Sequence, residues 1–183
     1  MKFNLGCGWR NFGKGWIHVD GGNYEHLDSN NIYLGEYESS SADLIYASHV
    51  IEYFDREEVV KLLDCWKDIL KPNGILRIAV PDFESMISLY AEYKLGYGGY
   101  PLEKFLGPLF GKMNMGDEVI YHKTTYDFQS LSSLLENIGM KDVKRYDWEQ
   151  TEHSKFDDHS QAYLPHMDKE NGTLISLNVE CTK

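Results

Sequence analysis

The chain has 183 residues, 42% of them hydrophobic, which is enough for a sizeable core, and its formal net charge is −11 from 29 acidic and 18 basic residues. This charge repels phosphate backbones and no dense Lys/Arg cluster interrupts it, so nucleic acid is an unfavourable partner. No apolar run approaches the roughly 20 residues that span a bilayer, and the N-terminus lacks a signal-peptide pattern. We therefore expect one cytoplasmic domain covering residues 1–183.

The three cysteines, Cys7, Cys65 and Cys181, are far apart in the sequence and form no C-x-x-C pair. Their odd number and spacing indicate reduced thiols, with neither a disulfide framework nor a zinc site.

In the first half of the chain, strands are predicted at residues 2–5, 16–19, 31–34 and 42–47. An amphipathic helix follows, because Asp55 and Glu58 form a capping-box pattern and apolar residues recur at i, i+3, i+4 and i+7 as far as Leu70. The KPNG sequence at 71–74 ends this helix and leads into a buried strand at 75–80. Together they form a βαβ unit.

In the second half, helices are predicted at about 83–94 and 127–138, and strands at 143–148 and 174–181. Six glycines and two prolines between residues 95 and 117 exclude long regular structure, and residues 149–172 are polar and too long for a tight turn. We expect lid or substrate loops at about 95–124 and 149–172. The alternation of elements predicts a parallel, doubly wound α/β sheet that binds ligands beyond the carboxyl ends of its strands.

The first strand ends in Gly6-Cys7-Gly8, and the second ends at Asp20. Glycines let the backbone turn sharply and approach a ligand, and a carboxylate at the end of the next strand can accept hydrogen bonds from both ribose hydroxyls. The third glycine of a dinucleotide-binding turn is missing, and no helix pattern follows to face a pyrophosphate. A ligand with a ribose but no phosphate fits this pattern better.

With NLGCG…GWIHVD at its start, the sequence resembles the class I S-adenosylmethionine-dependent methyltransferases, particularly small bacterial ones of the type-11-like family. The resemblance extends over nearly the whole chain through three further blocks, SADLIYASHVIEYF, ILKPNGILRIAVPDFESMISLY and TYDFQSLSSLLENIGMKDVKRY.

The resemblance implies a Rossmann-like, mostly parallel seven-stranded sheet whose last strand is antiparallel. It also implies that S-adenosylmethionine is the cofactor, with Asp20 on the ribose hydroxyls. The implied cofactor-binding set is Leu5, Gly6, Cys7, Gly8, Asp20, Gly21, Ser48 and His49, with Ser48 and His49 beside the methionine part or the substrate.

Three features of the sequence depart from the family pattern. Asn4 stands where many members have an acidic residue, the connection from Gly8 to Asp20 is too short for a full helix, and Tyr53 stands where a His usually follows Glu52. The shortened connection predicts a more open cofactor pocket.

Methyl transfer needs a base only when the acceptor must lose a proton. The catalytic candidates for a hydroxyl acceptor are His49 and Asp82, which follow strands, and His122, which precedes a helix. Alternatively, His49 only bonds locally and Asp82 only caps the following helix. Glu52 is expected to support the helix after it.

His153, His159 and His166, with Asp157 and Asp158, contain metal-ligand residue types, but their irregular spacing favours a solvated or substrate-facing segment, and no metal is predicted. An aromatic series could face a membrane, although a lid or partner surface fits the acidic charge better; it comprises Tyr90, Tyr93, Tyr97, Tyr100, Phe105 and Phe110.

The leading hypothesis is a methyltransferase acting on the oxygen or nitrogen of a small-molecule or glycan-related acceptor. Two alternatives remain open: a non-catalytic module that binds S-adenosylmethionine, and a nicotinamide-dependent oxidoreductase. Neither the acceptor atom nor the oligomeric state follows from the sequence.

Overall fold

The computed structural model describes residues 1–115 and 118–183 of the chain. Its strands are β1 (Lys2–Leu5), β2 (Ile17–Val19), β3 (Ala42–Ser48), β4 (Leu70–Pro81), β5 (Met113–Met115), β6 (Glu118–Ile120), β7 (Lys141–Arg145), β8 (Tyr163–Leu164), β9 (Thr173–Leu174) and β10 (Ser176–Thr182). Its α-helices are α1 (Glu58–Ile69), α2 (Phe83–Leu95), α3 (Leu106–Phe110) and α4 (Phe128–Asn137). Within these residues, no helix is both long and apolar enough to cross a membrane.

The main sheet has six strands in the order β2-β1-β3-β4-β10-β7. β1 to β4 run parallel to one another, whereas β10 pairs antiparallel with both β4 and β7. This confirms the mostly parallel α/β sheet with an antiparallel last strand. β10 is inserted between β4 and the edge strand β7, so a late segment of the chain completes the interior of the sheet next to that edge.

The prediction of a seventh strand at residues 31–34 is wrong. Beyond β2, the described chain forms only an isolated parallel bridge between Val19 and Ser29. Asn31 explains the difference, because its side-chain oxygen accepts from Tyr33 N and its carbonyl accepts from Leu34 N, which closes a turn. Such local side-chain bonds compete with a strand ladder.

The predicted amphipathic helix is confirmed as α1, together with its capping-box start, and the helix predicted at about 127–138 is confirmed as α4. At α1, Asp55 Oδ1 accepts from the backbone N–H of Glu58, while Glu58 Oε2 accepts from the N–H of Asp55, each over about 3 Å. At α4, Asp127 forms the corresponding reciprocal pair with Ser130. These caps satisfy backbone donors that a helix start would otherwise leave unpaired.

One face of the sheet carries the hydrophobic core. Phe3 and Leu5 of β1 lie opposite Ile45 and Ala47 of β3, and the same apolar rows continue into β4 and β10. α1 and α4 bury their apolar faces against these rows, with Trp66 of α1 completely buried. Core packing on this face therefore follows the periodicity seen in the sequence.

The opposite face carries a polar row that crosses all six strands. Neighbouring strands place these side chains in direct register, from β2 to β7: His18, Asn4, Tyr46, Arg77, Glu180 and Lys144. The Arg77 guanidinium lies 3.0 Å from a Glu180 oxygen and 3.1 Å from a Glu152 oxygen. Ion pairing therefore compensates the buried arginine.

Residues 149–161 cover much of this polar face, so the expectation that this segment is solvated is wrong for its central part. His153 and Asp158 are only 1% and 5% exposed. The Tyr46 hydroxyl donates to Asp158 over 2.6 Å, and Phe156 stacks on Phe12 with ring centroids 4.4 Å apart. This aromatic and polar packing anchors the connection between β1 and β2, which contains no helix.

The segment predicted as a lid, residues 95–124, contains only short elements, as its glycines and prolines predict. They are a 3₁₀ turn (Leu102–Lys104), α3 and the β5–β6 hairpin; the lid prediction also includes Gly116 and Asp117, which lie outside the described residues. Of the aromatic series, Phe105 is buried against α2, while Tyr97 and Phe110 are exposed. The residues of this aromatic series line neither of the two cavities described below, whereas Met113 and Met115 of the hairpin line both.

Candidate functional site

A cavity of about 540 Å³ opens where β1, β2 and β3 end at their carboxyl edges. It is lined by seven of the eight predicted cofactor-binding residues: Gly6, Cys7, Gly8, Asp20, Gly21, Ser48 and His49. The eighth, Leu5, is completely buried in the core and does not line the cavity. Its strand position places it next to the turn, but its inward side chain belongs to the apolar face.

The glycine turn requires glycine for two different reasons. Gly6 has φ +64°, and a Cβ built at this residue would lie 2.3 Å from Val50 Cγ2. Gly8 has φ +55°, with open space where its Cβ would be. Gly6 therefore permits a close approach of two chain segments, whereas Gly8 mainly permits the backbone conformation.

Asp20 holds the turn together from the end of β2. Its Oδ2 accepts from Gly8 N over 2.8 Å, and its Oδ1 accepts from Gly22 N over 2.7 Å. Each carboxylate oxygen can accept more than one hydrogen bond, so these contacts leave acceptor capacity towards the cavity. The sequence indicated the carboxylate but not its link to Gly8.

Cys7 is not a reactive thiol in this turn. Burial, reinforced by the nearby Asp20 carboxylate, raises the pKa of Cys7 to about 12. Because the thiolate is the nucleophilic form, Cys7 remains protonated and inert at neutral pH.

His49 occupies a constrained position immediately after β3. It is a non-glycine residue with φ +55°, and its backbone N–H donates to Ala79 O over 2.8 Å. Burial and the neighbouring His159 and His122 rings hold the pKa of His49 well below its usual value, so the ring is neutral at pH 7. Its side chain borders two cavities.

The second cavity, of about 630 Å³, has a mainly apolar lining. It shares Gly6, Asp20, Gly21 and His49 with the first cavity, and residues of the β5–β6 hairpin line both. Tyr53 and His122 border only the second. The structure therefore brings His122 close to the predicted cofactor site, as a wall of the adjoining space.

Glu52 is a site residue that sequence reasoning missed, because its position suggested only helix support. It is completely buried, and neither carboxyl oxygen has a hydrogen-bond partner within the described chain. Its Oε1 lies 3.4 Å from His49 Nδ1 and 3.7 Å from His122 Nε2. Burial raises the pKa of Glu52 to about 8, so the carboxyl is mostly protonated at pH 7.

Asp82 does not join this arrangement. Its Oδ1 accepts from Glu84 N and Ser85 N at the start of α2, and its Oδ2 lies 3.3 Å from Arg145. It lines neither of the two cavities described above. The capping alternative accounts for this residue without catalysis.

Comparisons with known proteins agree with this fold. A family model described as a methyltransferase domain matches residues 18–78, a range that contains Asp20, His49 and Glu52. Over this third of the chain, the sequence is similar to methyltransferase domains.

Solved structures support this assignment at the level of the fold. A methyltransferase from Archaeoglobus fulgidus is 19% identical with a TM-score of 0.60, and the alignment covers 100% of this chain and 85% of that one. One from Mesorhizobium loti is 15% identical with a TM-score of 0.57, and the alignment covers 100% of this chain and 90% of that one. A third is the 1,6-didemethyltoxoflavin-N1-methyltransferase of Burkholderia thailandensis with bound 1,6-didemethyltoxoflavin and S-adenosylhomocysteine. It is 11% identical with a TM-score of 0.56, and the alignment covers 100% of this chain and 70% of that one.

A search of curated proteins found no sequence match. The methyl donor of the S-adenosylmethionine-dependent methyltransferases that the fold resembles is S-adenosylmethionine, and the cavity fits its adenosyl group in two respects. Asn4 Nδ2 is a buried donor without a partner among the described residues, and it belongs to a residue that lines the cavity. Gly8 also lines the cavity, with open space where a Cβ would be.

The first cavity is also lined by residues from the covering segment 149–161. Asp158 and His159 belong to its lining, and the His159 ring centroid lies 5.1 Å from that of His49. Their His/Asp-rich composition was a signal in the sequence, but their location over β3 was not predictable from spacing. Among the described residues, no group of three or more His, Cys, Asp or Glu side chains is arranged to hold a metal.

Proposed function

We propose that this methyltransferase domain methylates an oxygen or nitrogen atom of a small-molecule or glycan-related acceptor. The observation that carries the proposal is the convergence of the glycine turn, Asp20 and His49 on one cavity at the carboxyl ends of three neighbouring strands. A small acceptor is favoured because the adjoining apolar cavity of about 630 Å³ meets the first at His49.

In this proposal, Asp20 accepts hydrogen bonds from the ribose hydroxyls, while Gly6, Cys7, Gly8, Gly21 and Ser48 border the rest of the cofactor. S-adenosylmethionine supplies an activated methyl group when bound. The chain then needs to orient the acceptor, exclude water and provide a proton acceptor where one is required. His49 is the proposed proton acceptor, since it borders both cavities and its ring is neutral at pH 7.

The test is calorimetric binding of S-adenosylmethionine, S-adenosylhomocysteine and NADH to the purified protein. Asp20→Asn should weaken binding of the first two by roughly 10- to 100-fold, because a hydrogen bond to a charged group contributes about 1.5–3 kcal/mol. Glu25→Gln, an exposed carboxylate five residues further on, is the matched control and should bind like the unmodified protein. Unchanged affinity in Asp20→Asn would remove this residue from the ribose site.

The other arms of the experiment test the alternatives. Binding of NADH alone would support a nicotinamide-dependent oxidoreductase and contradict the proposal. Binding of S-adenosylmethionine without S-adenosylhomocysteine formation, across a panel of hydroxyl and amine acceptors, would favour the non-catalytic binding module. Acceptor-dependent S-adenosylhomocysteine formation would support methyl transfer.

A further inference from the structure

Glu52 occupies a position that helix support does not explain. A buried carboxyl without hydrogen bonds is costly, yet this one lies between two imidazole rings, of which His49 borders both cavities and His122 the second. The chemical role of the residue depends on which ring nitrogens carry protons.

His122 has a defined tautomer. Its Nδ1 lies 2.9 Å from the carbonyl oxygen of Pro108, which can only accept, so Nδ1 carries the ring proton. Burial lowers the pKa of His122, which keeps the ring neutral at pH 7. Its Nε2 therefore presents an unprotonated lone pair to Glu52 Oε1, 3.7 Å away.

His49 is oriented by a short hydrogen-bond chain that includes β10. Asn178 Nδ2 donates to Ser160 O, so Asn178 Oδ1 is available to accept from the Ser176 hydroxyl over 3.1 Å. Ser176 Oγ can then accept from His49 Nε2, which lies 3.4 Å away. In this arrangement the lone pair of His49 is on Nδ1 and faces Glu52 Oε1.

Two imidazole lone pairs thus face one carboxyl proton, and a single proton cannot bond to both. We propose that Glu52 is a positioning residue that switches His49 to its Nδ1–H tautomer by releasing its proton to solvent. The resulting carboxylate accepts Nδ1–H of His49 and leaves Nε2 as the base. This inference rests on the proposed function and adds a role for Glu52 and His122.

The proton count balances in this scheme. Glu52 releases one proton to solvent, and the ring proton of His49 moves from Nε2 to Nδ1 by exchange with water. Methyl transfer forms the bond between the acceptor atom and the methyl carbon, and the electron pair of the broken S–C bond stays on sulfur. The proton that the acceptor loses then goes to His49 Nε2, as in other carboxylate–imidazole pairs.

Other titratable groups surround this cluster and belong in its pH response. Glu52 raises the pKa values of Tyr53 and Tyr126 after the larger effect of burial, and the Lys123 ammonium pairs with Glu58 instead of Glu52. The groups around His49 and Glu52 are Tyr53, His122, Lys123, Tyr126, His159 and, by charge at longer range, Arg10.

The test is ¹⁵N NMR of histidine-labelled protein bound to S-adenosylhomocysteine, which fixes the tautomer of each ring. In the unmodified protein, the Nδ1–H to Nε2–H ratio of His49 should rise more than tenfold between pH 6 and pH 9, with a midpoint near the pKa of Glu52, about 8. Glu52→Gln should abolish the change, because an amide cannot become a carboxylate. The His49 signal is assigned by its loss in His49→Gln.

Glu136→Gln, on the exposed side of α4, is the control and should retain the pH-dependent change. A His49 tautomer that is the same at pH 6 and pH 9 in the unmodified protein would overturn the inference, even if Glu52→Gln failed to fold. So would an equal change in a folded Glu52→Gln. Failure of the unmodified protein to bind S-adenosylmethionine would instead contradict the proposed function, and the ligand-free protein would still report the tautomers.

Discussion

At the scale of single residues, Gly6 and Gly8 show how similar glycines differ in function. Both have positive φ angles, but only Gly6 has another segment in the space that a Cβ would occupy. That segment contains Val50, the residue after His49. Gly6 therefore holds the end of β1 against the start of the loop that carries His49 and Glu52.

Gly6→Ala should destabilise the protein by roughly 2–5 kcal/mol, combining positive-φ strain with overpacking against Val50. Gly8→Ala should cost only the strain, roughly 1–2 kcal/mol, because the space around it is open. Denaturant unfolding measures both values. The double variant Gly6→Ala/Val50→Ala should recover part of the stability lost in Gly6→Ala. Equal destabilisation by Gly6→Ala and Gly8→Ala would contradict the role given to the close approach at Gly6.

At the scale of elements, the polar face of the main sheet is covered by residues 149–161, which contain no α-helix. Asp158 connects this segment to β3 by accepting from the buried Tyr46 hydroxyl and, within the segment, from Ser160 N over 2.8 Å. Arg77 of β4 reaches the same segment through Glu152 and through His153, 3.3 Å away. The cofactor cavity consequently depends on a polar attachment as well as on the core.

Asp158→Ala should cost about 1–3 kcal/mol, because it leaves the buried Tyr46 hydroxyl without its acceptor. Hydrogen exchange of the amides in residues 153–161 should become faster. The neighbouring Asp157→Ala is the matched control, since its carboxylate forms only an exposed ion pair with Lys169, and it should change stability by less than about 0.5 kcal/mol. Similar exchange rates in the two variants would contradict this account of the attachment.

The sequence predicted the elements whose stability is local. α1 and α4 were predictable from apolar spacing and capping residues, and the glycine turn and Asp20 from their positions after strands. The strand at 31–34 failed because Asn31 takes over backbone hydrogen bonds, which apolar patterns do not register. Glu52 and Asp158 were not recognised as site residues because their partners are distant in the sequence: His122 for Glu52 and Tyr46 for Asp158.

At the scale of the whole molecule, buried titratable groups give stability a dependence on pH with two opposing contributions. Burial raises the pKa of Glu52 to about 8 from a reference value of 4.5, so the folded state binds more protons between these values and stability falls as pH rises. Burial lowers the pKa of His153 to about 4, with Asp158 opposing the shift and Arg77 reinforcing it. Between pH 4 and 6.5 the unfolded state therefore binds more protons at His153, and stability is lost as pH falls.

Glu52→Gln should remove the alkaline part of this dependence. Relative to the unmodified protein, the variant should gain stability on the order of a few kcal/mol between pH 5 and pH 8, because its side chain never ionises. Urea unfolding at pH 5, 7 and 9 gives the comparison. Parallel curves for the two proteins would show that Glu52 is not a buried acid with a raised pKa.

The late covering segment also bears on how the protein emerges during synthesis. Tyr46 and Asp158 are 112 residues apart in the chain, yet their contact attaches a segment that lines the first cavity, and β10 joins the sheet beside β4 later still. Contacts with such large sequence separation form slowly, because distant segments must first meet. A nascent chain halted before Asp158 would already contain the glycine turn and Asp20 but would leave its polar face uncovered, so ribosome-bound chains should acquire cofactor affinity only after Asp158 and β10 have emerged.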